Sequence, residues 1–86
     1  MKPPIPLHEM DWHEATRWRW RAGRADRGLT DNDPFEGEPL LEAYEELVDA
    51  WTYLNLGGEA GLADDIRRLG ERLRAAIQHP YPRLHR

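Results

Sequence analysis

Apolar residues recur at helical spacing in three stretches of this chain. The clearest is "LLEAYEELVDAWTYL", residues 40–54, where Leu40, Tyr44, Leu47, Trp51 and Leu54 form a stripe widened by Leu41 and Val48. A second stripe, Leu62, Ile66, Leu69, Leu73 and Ile77, predicts a helix over about 61–78. The third is Trp12, Ala15, Trp18 and Ala22, which predicts a first helix from Leu7 or His8 to Arg21 or Ala22. Within it, "TRWRWR" also alternates as a strand would, with both Trp on one face. Helix is the preferred reading because no second strand is visible to pair with it.

The punctuation between these stripes agrees with them. "KPPIP" suits neither a helix nor a central strand, so residues 1–7 read as an extended arm. Gly23 and Gly28 loosen the chain after the first helix, and "GLTDNDPFEGEP" is a loop by composition. Asp33 before Pro34, with Glu36 three residues on, is placed to cap a single helical turn that Gly37 interrupts. Pro39 suits the first turn of the second helix, and Gly57 and Gly58 stop it. Pro80 and Pro82 end the third, leaving a tail over 79–86. The short connection predicts an antiparallel hairpin of about 39–56 and 61–78. The expected fold is all-α: one small three-helix domain over 1–86, without repeats.

Size sharpens this picture. Eighty-six residues bury a modest core, and the absence of cysteine removes both disulfides and thiolate zinc sites as supports. Self-association is the remaining source of buried area, and four Trp in so short a chain fit that need. A homo-oligomer is therefore expected. No segment has the length and apolarity of a membrane span, and the N-terminus lacks the apolar run of a signal peptide. A cytoplasmic protein without a membrane partner is the default.

Charge is more informative by position than by sum. The formal net charge is −4, yet residues 17–27, "RWRWRAGRADR", hold five Arg against one Asp, while residues 36–49 hold six carboxylates and no base. The acidic balance argues against a nucleic-acid polymer as partner, and leaves room for a small phosphate ligand at the Arg cluster. Glu42, Glu45, Glu46 and Asp49 lie three and four apart on the second helix, a pattern that can offer oxygen ligands to Mg²⁺. One helix seldom surrounds a metal, so the rest of the set would come from Asp64, Asp65 and Glu71 on the third helix or from another subunit. The same four residues also read as the solvated side of an amphipathic helix. On pattern alone both readings stand.

"GRADRG", then "DPFEGEP", then "LLEAYEELVDAWTYL" together resemble small phage-encoded proteins of the MazG-like group, over about Gly23 to Leu54. True MazG-type nucleoside triphosphate pyrophosphohydrolases are all-α and oligomeric. They bind Mg²⁺ through E-x-x-E-E on one helix and E-x-x-D on the next, a two-metal kind of chemistry. By this resemblance Glu42, Glu45 and Glu46 match the first motif, with Asp49 one turn further on. The third helix carries no E-x-x-D, and Asp26 and Arg27 stand where the group has Lys-Tyr. The resemblance with its incomplete motif implies a phage-type protein that keeps the scaffold and sequesters a nucleotide immune signal without cleaving it, in the host cytoplasm. The alternative is a Mg²⁺-dependent pyrophosphohydrolase, and a third possibility is a helical inhibitor of another protein.

A nucleotide binder needs a flat ring for the base and donors for the phosphates. Arg17, Arg21 and Arg24 follow at i, i+4 and i+7 with Trp20 beside them; Arg27 and Tyr44 complete the candidate set. Those arginines also read as partners for Glu42, Glu45 and Glu46, and Trp12 and Trp18 as core or interface residues. His8 and His13 are five apart and share no helical face, His79 and His85 fall in the tail, and with neither Ser nor Cys present two common nucleophiles are excluded.

Overall fold

A computed structural model of the chain describes residues 2–79. Among them are three α-helices, α1 (Trp12–Asp26), α2 (Pro39–Leu56) and α3 (Ala60–Gln78), a 3-10 turn at Leu7–Glu9, and no strand. The all-α expectation holds for the described residues. The tail expected over 79–86 lies outside them except for His79. Contacts divide the chain between Glu36 and Gly37 into two compact units.

In the first unit the helix starts later and ends later than its stripe suggested. The chain before it makes only a single turn, with Glu9 N–H on the Pro6 carbonyl at 3.0 Å and Met10 N–H on that of Leu7 at 3.1 Å. Met10 is extended, and Asp11 comes next at φ −54° and ψ 146°. The Asp11 carboxylate accepts from the backbone N–H groups of His13 (3.1 Å) and Glu14 (3.3 Å), two of the donors that a helix start leaves unpaired. Asp11 and Glu14 stand in the capping-box spacing, which is why α1 opens at Trp12. It then runs through Gly23 and stops at Gly28, whose φ of 75° is the left-handed conformation. Gly28 N–H reaches the Ala25 carbonyl at 3.0 Å and Leu29 N–H the Arg24 carbonyl at 2.8 Å, the paired bonds of a Schellman ending.

The second unit contains α2 and α3, which pack on each other. Their ends obey the expected punctuation closely. Pro39 occupies the first turn of α2, where its missing N–H costs nothing. At the other end Gly58 N–H bonds the Asn55 carbonyl (3.1 Å) and Glu59 N–H that of Leu54 (2.8 Å), a second Schellman ending, with Gly58 at φ 81°. Three residues, Gly57 to Glu59, connect the helices.

Packing in this unit is light. Ala63 and Gly70 of α3 are buried, while Tyr44, Leu47, Ala50 and Leu54 of α2 and Ile66, Leu73 and Ile77 of α3 are half-buried. Leu41, Val48, Trp51, Leu62 and Leu69 are each more than 40 % exposed. Among the described residues no large side chain is fully buried. The apolar stripes that predicted the helices are thus only partly spent within the chain.

Candidate functional site

Between Glu36 and α1 the expected capped turn is absent, and Asp33 is the reason. Its carboxylate turns back to accept from the Thr30 backbone N–H at 2.7 Å and the Thr30 hydroxyl at 3.1 Å. The backbone closes the same turn, Asp33 N–H on the Thr30 carbonyl at 3.2 Å, and the Thr30 hydroxyl accepts from Asn32 N–H at 3.2 Å. Residues 34–36 form no helical turn.

Arg24 ties this turn to α1. Its Nε donates to the Thr30 carbonyl at 2.9 Å and its Nη2 to the Asp33 carbonyl. The guanidinium lies over the Trp20 ring, 4.9 Å from the centroid, and Phe35 approaches that ring at 6.0 Å and 38°. Only 3 % of Arg24 is exposed. A buried cation is tolerable here because carbonyl oxygens and a ring face replace its water. Arg24 therefore leaves the row it was expected to share with Arg17 and Arg21, and serves the fold of the loop. Nothing in the spacing separated it from its neighbours; the turn that captures it is made by Thr30 and Asp33.

The other members of the expected phosphate face stay at the surface. Arg17 and Arg27 are exposed and have no ion pair among the described residues. Arg21, one turn after Arg17, donates from Nε to Asp31 Oδ2 at 2.8 Å, with both side chains at least half exposed. Trp20, 48 % exposed, is held by Arg24 and Phe35, so its remaining surface is presented in a fixed place. Arg17, Trp20, Arg21 and Arg27 thus share the first unit with the loop.

Tyr44 belongs to the second unit. It lines a groove of about 170 Å³ between α2 and α3 with Leu47, Val48, Trp51, Ile66 and Gly70; Arg67 and Glu71 supply its charged groups. Pattern reading did not single out this groove, although Tyr44, Leu47, Val48 and Trp51 all belong to the α2 stripe.

Glu42, Glu45, Glu46 and Asp49 are all exposed on α2, and none of their side chains has a hydrogen bond or ion pair among the described residues. Of the third-helix residues expected to help them, Asp64 is committed elsewhere. It pairs with Arg67 at 3.0 Å and Arg68 at 2.7 Å, and these two, the Arg67 bond first, hold its carboxyl below the usual value. Glu71 lies 3.9 Å from Arg74. Among the described residues no three His, Asp or Glu are grouped so as to hold a metal ion.

The Asp33 carboxyl is shifted as well. Its pKa is lowered from 3.8 by the Thr30 backbone N–H first, then the Thr30 hydroxyl, with Arg24 adding a smaller effect. A depressed folded value means the stabilisation is complete above 3.8 and fades as pH falls through the lower folded value. Amide exchange at Thr30 and Leu29 should accordingly stay slow down to about pH 4 and rise below it, in excess of the intrinsic pH dependence. Asp33→Asn should show the faster exchange at every pH.

No helix among the described residues is long and apolar enough to cross a membrane. No family model, no curated protein and no solved structure matches the chain.

Proposed function

We propose that this protein binds a nucleotide through the exposed face of α1 and sequesters it without breaking a bond. The observation that carries this reading is the pairing of Arg17 and Arg21, one turn apart and open to solvent, with the fixed and half-exposed Trp20 ring between them in sequence. Guanidinium groups so spaced can meet the oxygens of one phosphate chain, and an indole can stack on a base. In this reading α2 and α3 run antiparallel as a hairpin, and further copies of the chain cover Leu41, Val48, Trp51, Leu62 and Leu69. A cytoplasmic setting suits such a ligand.

A second reading has one observation in its favour. Glu42, Glu45, Glu46 and Asp49 form an acidic row whose like-charge repulsion nothing among the described residues relieves. A divalent cation shared with another copy would relieve it, and would make the chain a Mg²⁺-dependent pyrophosphohydrolase. One experiment separates the two. The protein is incubated with nucleoside triphosphates and cyclic nucleotides, with and without Mg²⁺, and the solution is chromatographed before and after heat denaturation. Sequestration predicts depletion of one ligand and its intact return on heating. Monophosphate and pyrophosphate formed only with Mg²⁺ would sink it. Arg17→Gln and Arg21→Gln should each weaken binding about tenfold, the worth of a hydrogen bond to a charged group.

A further inference from the structure

We infer that Asp31 is an internal anion occupying Arg21 until a multiply charged phosphate displaces it. The inference rests on the nucleotide-binding reading of α1 and adds a selection rule to it. Asp31 and Arg21 are ten residues apart and meet through a single bond, Nε to Oδ2 at 2.8 Å. Their side chains are 50 % and 62 % exposed, so water screens the pair and it is weak.

Weakness matters because the loop does not depend on it. Arg24 grips the carbonyls of Thr30 and Asp33, on either side of Asp31, and the Thr30–Asp33 turn closes upon itself. The Asp31 side chain can therefore swing away while the loop backbone stays on α1. A competitor must offer Arg21 more than one carboxylate oxygen does. A phosphate can engage the guanidinium fork with two oxygens, and a phosphate chain can also reach Arg17, which has no ion pair of its own among the described residues. A monovalent carboxylate such as acetate can match the fork with two oxygens but carries a single charge and cannot reach Arg17 as well. The charged groups between residues 17 and 33 are Arg17, Arg19, Arg21, Arg24 and Asp26 on the helix, Arg27 at its end, and Asp31 and Asp33 on the loop. Adding the Asp31 charge to this set raises the charge that a ligand must carry to enter. The arrangement favours di- and triphosphates over simple anions.

The test uses the full chain with pyrophosphate as probe. Side-chain ¹⁵N–¹H signals of the Arg Nε–H groups are followed in the unsubstituted protein and in Asp31→Asn, Asp31→Ser and Arg21→Gln. Pyrophosphate should shift the Arg21 signal in the unsubstituted chain and leave that of Arg24 in place. Both Asp31 variants should bind pyrophosphate more tightly, up to about fivefold, the range open to an exposed ion pair. Their response to acetate should rise as well, because the competitor for monovalent anions is gone. Equal affinity in the Asp31 variants and the unsubstituted chain, with loss in Arg21→Gln, would overturn the latch and leave the binding face standing. Pyrophosphate binding that ignores Arg21 altogether would overturn both. Displacement of the Arg24 signal in both Asp31 variants, before any ligand is added, would show that the loop needs the pair, and would also overturn the latch.

Discussion

Arg24→Ala should unfasten residues 29–35 from α1 and cost about 2–4 kcal/mol of local stability, the range for removing a buried, hydrogen-bonded charged group. The substitution removes three interactions at once: two donors to the Thr30 and Asp33 carbonyls, and the stack on Trp20. The loop can relax and let water reach the freed carbonyls, so the lower half of that range is the sounder guide. Arg24→Lys keeps the charge but has one nitrogen where the fork has three. It should recover one carbonyl bond and less than half of the loss. The measurement is native-state hydrogen exchange at Leu29, Thr30 and Asp33, which reads local opening without assuming that the whole chain unfolds at once. Unchanged protection in Arg24→Ala would mean that the Thr30–Asp33 turn holds the loop without the arginine.

Gly58→Ala should destabilise the α2–α3 unit by about 1–2 kcal/mol, the penalty a side chain incurs in the left-handed region. Gly57→Ala, one position earlier, should be nearly neutral. The two glycines look equivalent in the sequence, yet Gly57 sits at φ −83° and Gly58 at φ +81°. A Cβ on Gly57 would come 3.4 Å from the Tyr53 carbonyl oxygen, an ordinary contact distance at its near limit, while one on Gly58 would meet nothing within 4 Å. Backbone conformation therefore decides the difference, since neither position is crowded. Urea titration monitored by circular dichroism at 222 nm would measure both variants. Equal loss in the two would mean that the left-handed conformation of Gly58 does not set the cost, since the freedom that both substitutions remove from the unfolded chain acts toward stability.

The parts of this fold that local chemistry determines could be read in the sequence, and those that a tertiary capture determines could not. The limits of α2 and α3 are set by Pro39 and the Gly57–Gly58 pair, and the observed helices match the expected ranges to within one residue. At α1 the same kind of signal was present at both ends. Asp11 with Glu14 marks its start and Gly28 its end, but the apolar stripe and Gly23 drew the expected limits some four residues too early. Gly23 does not break α1 because a helix interior tolerates glycine at a cost of about 1 kcal/mol.

For the candidate site the division falls within one row of arginines. Helical spacing correctly sets Arg17 and Arg21 one turn apart and in the open. It also puts Arg24 with them, and there it fails. The burial of Arg24 depends on two carbonyls that face it only after Thr30 and Asp33 have made their turn. That turn depends on Asp33 folding back toward Thr30 instead of capping a helical turn at Pro34, and both outcomes fit the sequence Thr-Asp-Asn-Asp-Pro. The acidic row on α2 was legible as a row. Its lack of ion pairs among the described residues was not, because spacing along one helix does not say which side chains the fold brings near it.

The brevity of the link between α2 and α3 also bears on time. Only Gly57, Gly58 and Glu59 separate the two helices, so bringing them together closes a very short loop, an event of tens of nanoseconds for chains of about ten residues. Helices joined in this way meet through residues near in sequence, and such topologies fold in about microseconds to milliseconds. A helix pair with few buried side chains is free to open often. With so short a link it is equally quick to re-form, so the half-buried residues that opening uncovers, Leu47, Leu54, Ile66 and Leu73 among them, stay uncovered only briefly.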